Sequence, residues 1–252
     1  MRRSIPNLIT TLNLLTGVIG IWFVLESNPF TGALLVFLAA FFDFMDGMSA
    51  RALNAYSDVG KSLDSLADVV SFGVLPGMMV FKLQSIALGA GADFNWGENF
   101  SSVEKILLLT PLIIPAFSAI RLARFDNDER QTIEFRGLPT PANAIFIAAW
   151  LGSYPILQEK LQWLYNPWFI AIFSVLLAVL LITDVRMFSL KFKSYGIKSN
   201  LLRYIFLILS VLALVILKLP GVMVVIVLYI LMSVVQYRQH RSFSFCHLVL
   251  PF

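Results

Sequence analysis

Eight apolar runs, each roughly 20 residues long, set the terms on which this chain can fold. They lie at about 8–27, 30–50, 66–86, 103–123, 139–157, 165–183, 201–217 and 220–237. A helix rising 1.5 Å per residue crosses the ~30 Å of a bilayer's hydrocarbon within such a length. Backbone N–H and C=O groups in lipid must be satisfied internally, so the runs read as helices. The expected fold is all-α, a polytopic membrane protein with about eight transmembrane helices. Composition agrees, since only 13% of residues are charged where a soluble domain carries about a quarter. The run that follows Arg2 and Arg3 resembles a signal peptide. It lacks a convincing cleavage site, however, and further spans follow it, so a retained first helix is expected. Without internal repeats or low-complexity stretches, residues 1–252 are read as a single membrane-embedded domain.

The charges give the chain an orientation. An even number of spans puts both termini on one side. Arg2, Arg3, Arg51, Lys61, Arg121, Arg124, Arg130, Arg136, Arg186, Lys191, Lys193, Lys198, Arg203, Arg238 and Arg241 fall at that face, and only Lys82, Lys105, Lys160 and Lys218 at the other. The positive-inside rule then predicts cytoplasmic termini. Basic residues scattered through short connectors, rather than gathered in a groove, argue against nucleic acid as a partner despite the net charge of +4. The single Cys246 excludes an intramolecular disulfide. Two connectors are longer. Residues 87–102 read as an outer loop, and 184–200 alternate bulky apolar and basic residues, as expected of a solvated connector or of a segment lying on anionic headgroups.

The chemistry is concentrated in Asp43-Phe-Met-Asp46-Gly47-Met-Ser-Ala50-Arg51 and, after eight residues, Gly60-Lys-Ser-Leu-Asp64-Ser-Leu-Ala-Asp68. Carboxylates beside hydrocarbon are costly and repel one another, so a cation is needed to compensate them. On helices Asp43 and Asp46 lie about 60° apart, and Asp64 and Asp68 about 40° apart on the next helix, giving two pairs that can face each other. Such an all-oxygen nest suits Mg²⁺ or Mn²⁺, and the only histidines, His240 and His247, are far off in the C-terminal segment. Gly47, Ala50 and Gly60 leave a notch beside the carboxylates, although either glycine alone is equally compatible with helix packing. Arg51 carries a planar fork suited to phosphate. Together these residues describe a cradle for a metal-bound diphosphate at the cytoplasmic ends of the second and third spans. A cation-coupled transporter would instead place its aspartates near the midplane of broken helices.

The pattern Asp46-Gly47-x2-Ala50-Arg51-x8-Gly60-x3-Asp64-x3-Asp68, preceded by Asp43, resembles the complete signature of the CDP-alcohol phosphatidyltransferase family. Within it, the chain is similar to bacterial CDP-diacylglycerol–serine O-phosphatidyltransferases. That likeness rests on Pro6-Asn7-x2-Thr10-x2-Asn13-Leu14, the run from Leu63 to Pro76, Arg121-Leu-Ala-Arg124-Phe125, and Phe135-x-Gly137-Leu138-Pro139-x-Pro141-Ala142. Asp126 stands where such enzymes often carry Asn.

The resemblance implies a six-helix catalytic core, with the last two helices, 201–237, peripheral to it. It implies transfer of the phosphatidyl group of CDP-diacylglycerol to the hydroxyl of L-serine, giving phosphatidylserine and CMP. Glycerol 3-phosphate, inositol phosphate or another small alcohol remains an alternative acceptor. By the same resemblance Asp43, Asp46, Asp64 and Asp68 hold two divalent ions, Asp68 is also the general base, and Gly47, Ala50, Arg51 and Gly60 accommodate the cytidine nucleotide. Arg121 and Arg124, at i and i+3, are expected to share a face and meet the serine carboxylate, though the positive-inside rule alone also puts arginines there. Val69, Phe72 and Val74 are candidates to line a gap for the lipid tails. A homodimer in the bacterial inner membrane, with its active site facing the cytoplasm, completes the expectation.

Overall fold

A computed structural model of the chain describes residues 4–26, 28–90, 100–127, 137–183, 185, 187 and 196–248. Arg2, Arg3, Arg130, Arg136, Arg186, Lys191 and Lys193, most of the 87–102 loop and, apart from 185 and 187, the 184–195 part of the second connector lie outside the described residues.

Every regular element among the described residues is helical. Helix α1 spans Ser4–Leu25 and α2 Pro29–Leu53. Helix α3, Asp58–Asp68, runs through a π turn, Val69–Val74, into α4, Leu75–Ala87. Helix α5, Ser102–Leu109, continues by a 3₁₀ turn into α6, Ile113–Asn127. Then come α7 (Thr140–Gly152), the short α8 (Tyr154–Leu157), α9 (Pro167–Ile182), α10 (Ile197–Leu217) and α11 (Leu219–Leu248). Six uninterrupted helical stretches are long and apolar enough to cross a membrane, and Thr140–Gly152 and Pro167–Ile182 are shorter apolar helices. The expected runs 139–157 and 165–183 are therefore helical but cut short. α7 is buried along nearly its whole length among other helices, where no match to lipid thickness is demanded of it.

The third span differs most from its expected range. Instead of starting at 66, the helix starts at Asp58, with Ser57 as its N-cap accepting a hydrogen bond from the Gly60 N–H at 3.0 Å. Asp64 and Asp68 thus sit within a continuous helix rather than at its mouth. Pro76, without an N–H to offer Phe72, explains why the α ladder widens there, and the Leu75 N–H reaches back to the Val70 carbonyl. The last two helices turn at Lys218, which has φ 55°, not at Pro220-Gly221. Pro220 falls in the first turn of α11, where its missing N–H costs nothing.

This long third helix lies at the centre. α1 packs on α2, α3, the π turn and α4, while α6 packs on the π turn and α9, and α7 bridges α2, α4 and α11. The core joins Val36, Phe72, Met79, Leu83, Ile114, Ile147, Trp150 and Ile170. Phe72 is fully buried there, so of the expected tail-gap residues only Val69 and Val74 keep partial exposure.

α1 turns its least apolar face inward. Pro6, Thr10, Asn13, Gly17, Gly20 and Val24 are buried, in steps of three and four, while Leu8, Leu12, Leu15, Val18 and Trp22 are exposed. Such an inversion suits a helix in lipid, where apolar side chains lose nothing outside and small residues allow close contact inside. A Cβ on Gly17 would stand 2.5 Å from Ser71 Oγ and 2.9 Å from Ser71 Cα. Gly137 (φ 73°) serves a different need: its N–H bonds the Val185 carbonyl at 2.9 Å, and a Cβ there would meet the Leu181 carbonyl oxygen at 2.5 Å.

Gly17→Val forces α1 away from the Ser71 backbone and is expected to cost about 1–3 kcal/mol, as overpacking does. A lowered melting temperature in detergent checks this; an unchanged one contradicts the close α1 contact.

Candidate active site

The residues around the aspartates are assembled by α1 as much as by α2 and α3. α2 contributes Asp43 and Asp46 near its C-terminal end, and Asn54, in the left-handed conformation at φ 49°, caps it by donating to the Ala50 and Arg51 carbonyls. α3 contributes Asp64 and Asp68. One carboxylate oxygen each from Asp43, Asp64 and Asp68 lies within 4.8 Å of the others. Asp43 and Asp64 are half-buried and Asp68 is buried. Asp46 is not part of that trio. It is buried beside it and leaves Oδ2 without a hydrogen-bond partner, while Thr10, which lines the same groove, donates its hydroxyl to the Pro6 carbonyl at 3.0 Å.

The four negative charges act on one another, for Asp68 interacts electrostatically with Asp43, Asp64 and Asp46. Among the described residues the neutral groups that relieve them come from α1. Asn13 Nδ2 donates to Asp68 Oδ1 at 3.4 Å, and Ser71 Oγ donates to the Asn13 carbonyl at 3.0 Å, tying that turn of α1 to the π turn. Oxygens ~2.1 Å from a shared Mg²⁺ are at most about 4.2 Å apart, so the trio is about half an ångström wider than one ion's shell. A small rotamer adjustment closes that gap. The all-carboxylate donor set and the unpartnered Asp46 oxygen both fit a hard divalent cation.

Beside the aspartates opens a groove of about 810 Å³. Its wall includes Asp46, Gly47, Ala50, Arg51, Gly60 and Asp64, and also Asn7, Thr10, Tyr56, Ser57 and Lys61. Gly47 meets nothing within 4 Å of where a Cβ would stand, so its role is to leave the groove open. Gly60 is different: a Cβ there would come to 3.0 Å from both Asn7 Oδ1 and Ser57 Oγ, so this glycine allows α1 to approach α3.

The two arginines of α6 part company. Arg121 is buried, interacts with Asp68, donates from Nη1 to Thr140 Oγ1 at 3.3 Å and lies 6.0 Å from the Phe125 ring centre. Arg124 is exposed, so the two do not share one environment as their spacing suggests. Arg121 and Leu122 are buried, while Ala123, Arg124 and Phe125 are exposed.

Sequence reasoning assigned no site role to Asn7, Thr10 or Asn13. The signal was present, since polar side chains at 7, 10, 13 and 16 recur every third residue in a largely apolar span. Polar groups in a membrane helix are expensive unless they meet a partner.

Comparison with known proteins follows the same residues. The sequence model for CDP-alcohol phosphatidyltransferases matches residues 3–179. A CDP-diacylglycerol–serine O-phosphatidyltransferase of Bacillus subtilis is 31% identical over 182 residues, covering 72% of this chain and 88% of the relative. Proteins of the same name are 30% identical in Helicobacter pylori (80% of this chain, 79% of the relative) and 31% identical in Methanocaldococcus jannaschii (73% of each).

Crowded carboxylates predict opposite effects with and without metal. In chelator, Asp43→Asn and Asp64→Asn relieve repulsion and are expected to melt at or above the wild-type temperature. The rise that Mn²⁺ gives the wild type, about 2.7 kcal/mol at a hundredfold excess over Kd, should be lost in both. Thermal melts with and without Mn²⁺, with free Mn²⁺ followed by electron paramagnetic resonance, read the two effects separately.

Proposed function

The chain belongs to the CDP-alcohol phosphatidyltransferase family, and from that premise we propose that it transfers the phosphatidyl group of CDP-diacylglycerol to L-serine, releasing phosphatidylserine and CMP. The observation that carries this reading is the convergence of Asp43, Asp64 and Asp68 within 4.8 Å next to a groove large enough for a nucleotide.

Asp43, Asp46, Asp64 and Asp68 are the residues to hold two divalent ions, Mg²⁺ or Mn²⁺, which when bound neutralise the donor diphosphate and the charge left on CMP. The open wall at Gly47 and Ala50 accommodates the nucleotide, with Gly60 shaping the groove and Arg51, exposed at its rim, offering its guanidinium to a phosphate. The acceptor hydroxyl oxygen forms a bond to the lipid-side phosphorus as the bond to the CMP oxygen breaks, and its proton goes to Asp68. The Asn13 amide steadies one oxygen of that carboxylate. Alignment and partial dehydration supply much of what an ordinary carboxylate lacks in basicity. No Cys or His joins the described cluster, which favours direct attack over a covalent enzyme intermediate.

A serine zwitterion brings one carboxylate, and Arg121 is the cation placed for it. Arg124, exposed one turn further out, is left the lesser part of meeting substrate as it arrives. A phosphorylated acceptor needs more positive charge than this, and Arg124 and, outside the described residues, Arg136 are the further cations that would supply it. Lipid tails can stay in the bilayer, entering past Val69 and Val74.

The chain reads as one membrane-embedded domain with 201–237 outside the catalytic core. α10 packs chiefly on α11, α11 reaches the core through α7, and the family match ends at 179. The basic residues support cytoplasmic termini and an active site facing the cytoplasm of a bacterial inner membrane. Association as a homodimer rests on the family resemblance alone.

Purified protein given CDP-diacylglycerol and Mn²⁺ is expected to form lipid product from labelled serine and not from glycerol 3-phosphate or inositol phosphate. Product from a phosphorylated acceptor only would overturn the serine assignment. Asp68→Asn should lower turnover by at least about 10²-fold, the lower range for acid–base catalysis, while CDP-lipid binding persists. Near-normal turnover would remove Asp68 as the base.

A further inference from the structure

Arg121 links the aspartate cluster to a part of the bundle that none of the signature residues reaches. It interacts with Asp68 on one side and donates to Thr140 at the start of α7 on the other. One turn along α7, Asn143 shares the face of Thr140, and one turn back along α6, Ser118 shares that of Arg121. Ser118 lies directly on the π turn that follows Asp68, since a Cβ on Gly73 would stand 3.1 Å from Ser118 Cβ. Ser118, Thr140 and Asn143 are all fully buried.

These groups are not satisfied by the fold. Ser118 Oγ, Arg121 Nε and both amide atoms of Asn143 are buried without a hydrogen-bond partner. Buried polar atoms ordinarily find one, and each that does not costs stability. Asn143 is the sharpest case, because folding gains no hydrogen bond from either end of its side chain.

We propose that Asn143 and Ser118 form the inner wall of the acceptor subsite and select an alcohol bearing both a carboxylate and an ammonium group. The proposal rests on the phosphatidyl-transfer reading above and adds the residues that read the acceptor. Arg121 Nε and Asn143 Nδ2 are donors that suit a carboxylate, Asn143 Oδ1 and Ser118 Oγ are acceptors that suit an ammonium, and the remaining hydroxyl is left to Asp68. Neither residue touches the reacting phosphorus, so their effect falls on acceptor affinity and selectivity rather than on donor binding. A site built to hydrogen-bond its substrate rejects analogues that lack the matching group, because its own buried atoms are then left unpaired.

Asn143→Leu tests this in the full-length protein in detergent with Mn²⁺. Leucine branches at Cγ as asparagine does, has the same number of side-chain heavy atoms and carries no polar atom. With no hydrogen bond to lose, the variant should melt at or above the wild-type temperature. The KM for serine is expected to rise at least tenfold, the KM for CDP-diacylglycerol to stay within twofold, and the preference for serine over ethanolamine and glycerol to narrow. Wild-type serine KM in a folded Asn143→Leu protein overturns the proposal, as does a rise matched by equal loss of CDP-lipid binding or by a fall in melting temperature. Should Asn143→Leu fail to accumulate folded, Ser118→Ala decides, with a smaller rise in serine KM expected and none overturning the assignment. If the wild type turns over a different small alcohol, the serine reading fails by itself. The same variants are then read against that alcohol, and an unchanged KM there rejects the subsite as well.

Discussion

Charge repulsion at the edge of a low-dielectric bundle is the constraint around which the rest is arranged. Four carboxylates on two helices interact with one another while at least two of them are buried. A fold that gathers them must hold them against their own repulsion with neutral donors. α1 carries much of that burden. Asn13 reaches Asp68, Thr10 lines the groove beside Asp46, and the glycines below them let α1 lie this close. A helix whose outer face looks like an ordinary membrane anchor is thus the neutral counterpart of the acidic one.

The long helix from Asp58 to Ala87 has two jobs, and the π turn separates them. Before it, α3 is the strongly amphipathic piece carrying Asp58, Lys61 and Asp64 along the groove and ending at the buried Asp68. Beyond it, α4 is packed into the core through Leu75, Met79 and Leu83. A wide turn rephases the side chains between the two halves, so that the acidic face and the packing face need not follow one continuous 3.6-residue register. It also presents Ser71 to α1 and Gly73 to Ser118 of α6.

The site consequently has two unlike sides. The groove side is open, lined by small residues and edged by Arg51 and Lys61, as suits a soluble nucleotide. The Arg121 side is buried and rich in unpaired polar atoms, as suits a small polar molecule enclosed during reaction. Asp68 sits between them, interacting with Asp64 and Asp46 of the groove wall and with Arg121.

The sequence by itself settled the helical class and the family, and it singled out the four aspartates and part of the groove wall. Twenty-residue apolar runs admit few structures in lipid, and carboxylates at fixed helical spacing in such runs have few explanations. It placed Arg121 and Arg124 together, began the third span eight residues late, and left Asn7, Thr10 and Asn13 without a role. Those matters depend on which helix lies against which: one turn decides whether an arginine is enclosed or stands clear, and a polar stripe on α1 acquires its meaning only from the acids of α2 and α3 across from it. Spacing along one helix is local and written in the chain, whereas the partner a side chain meets is set by contacts between residues far apart in sequence, such as 13 with 68 and 121 with 140.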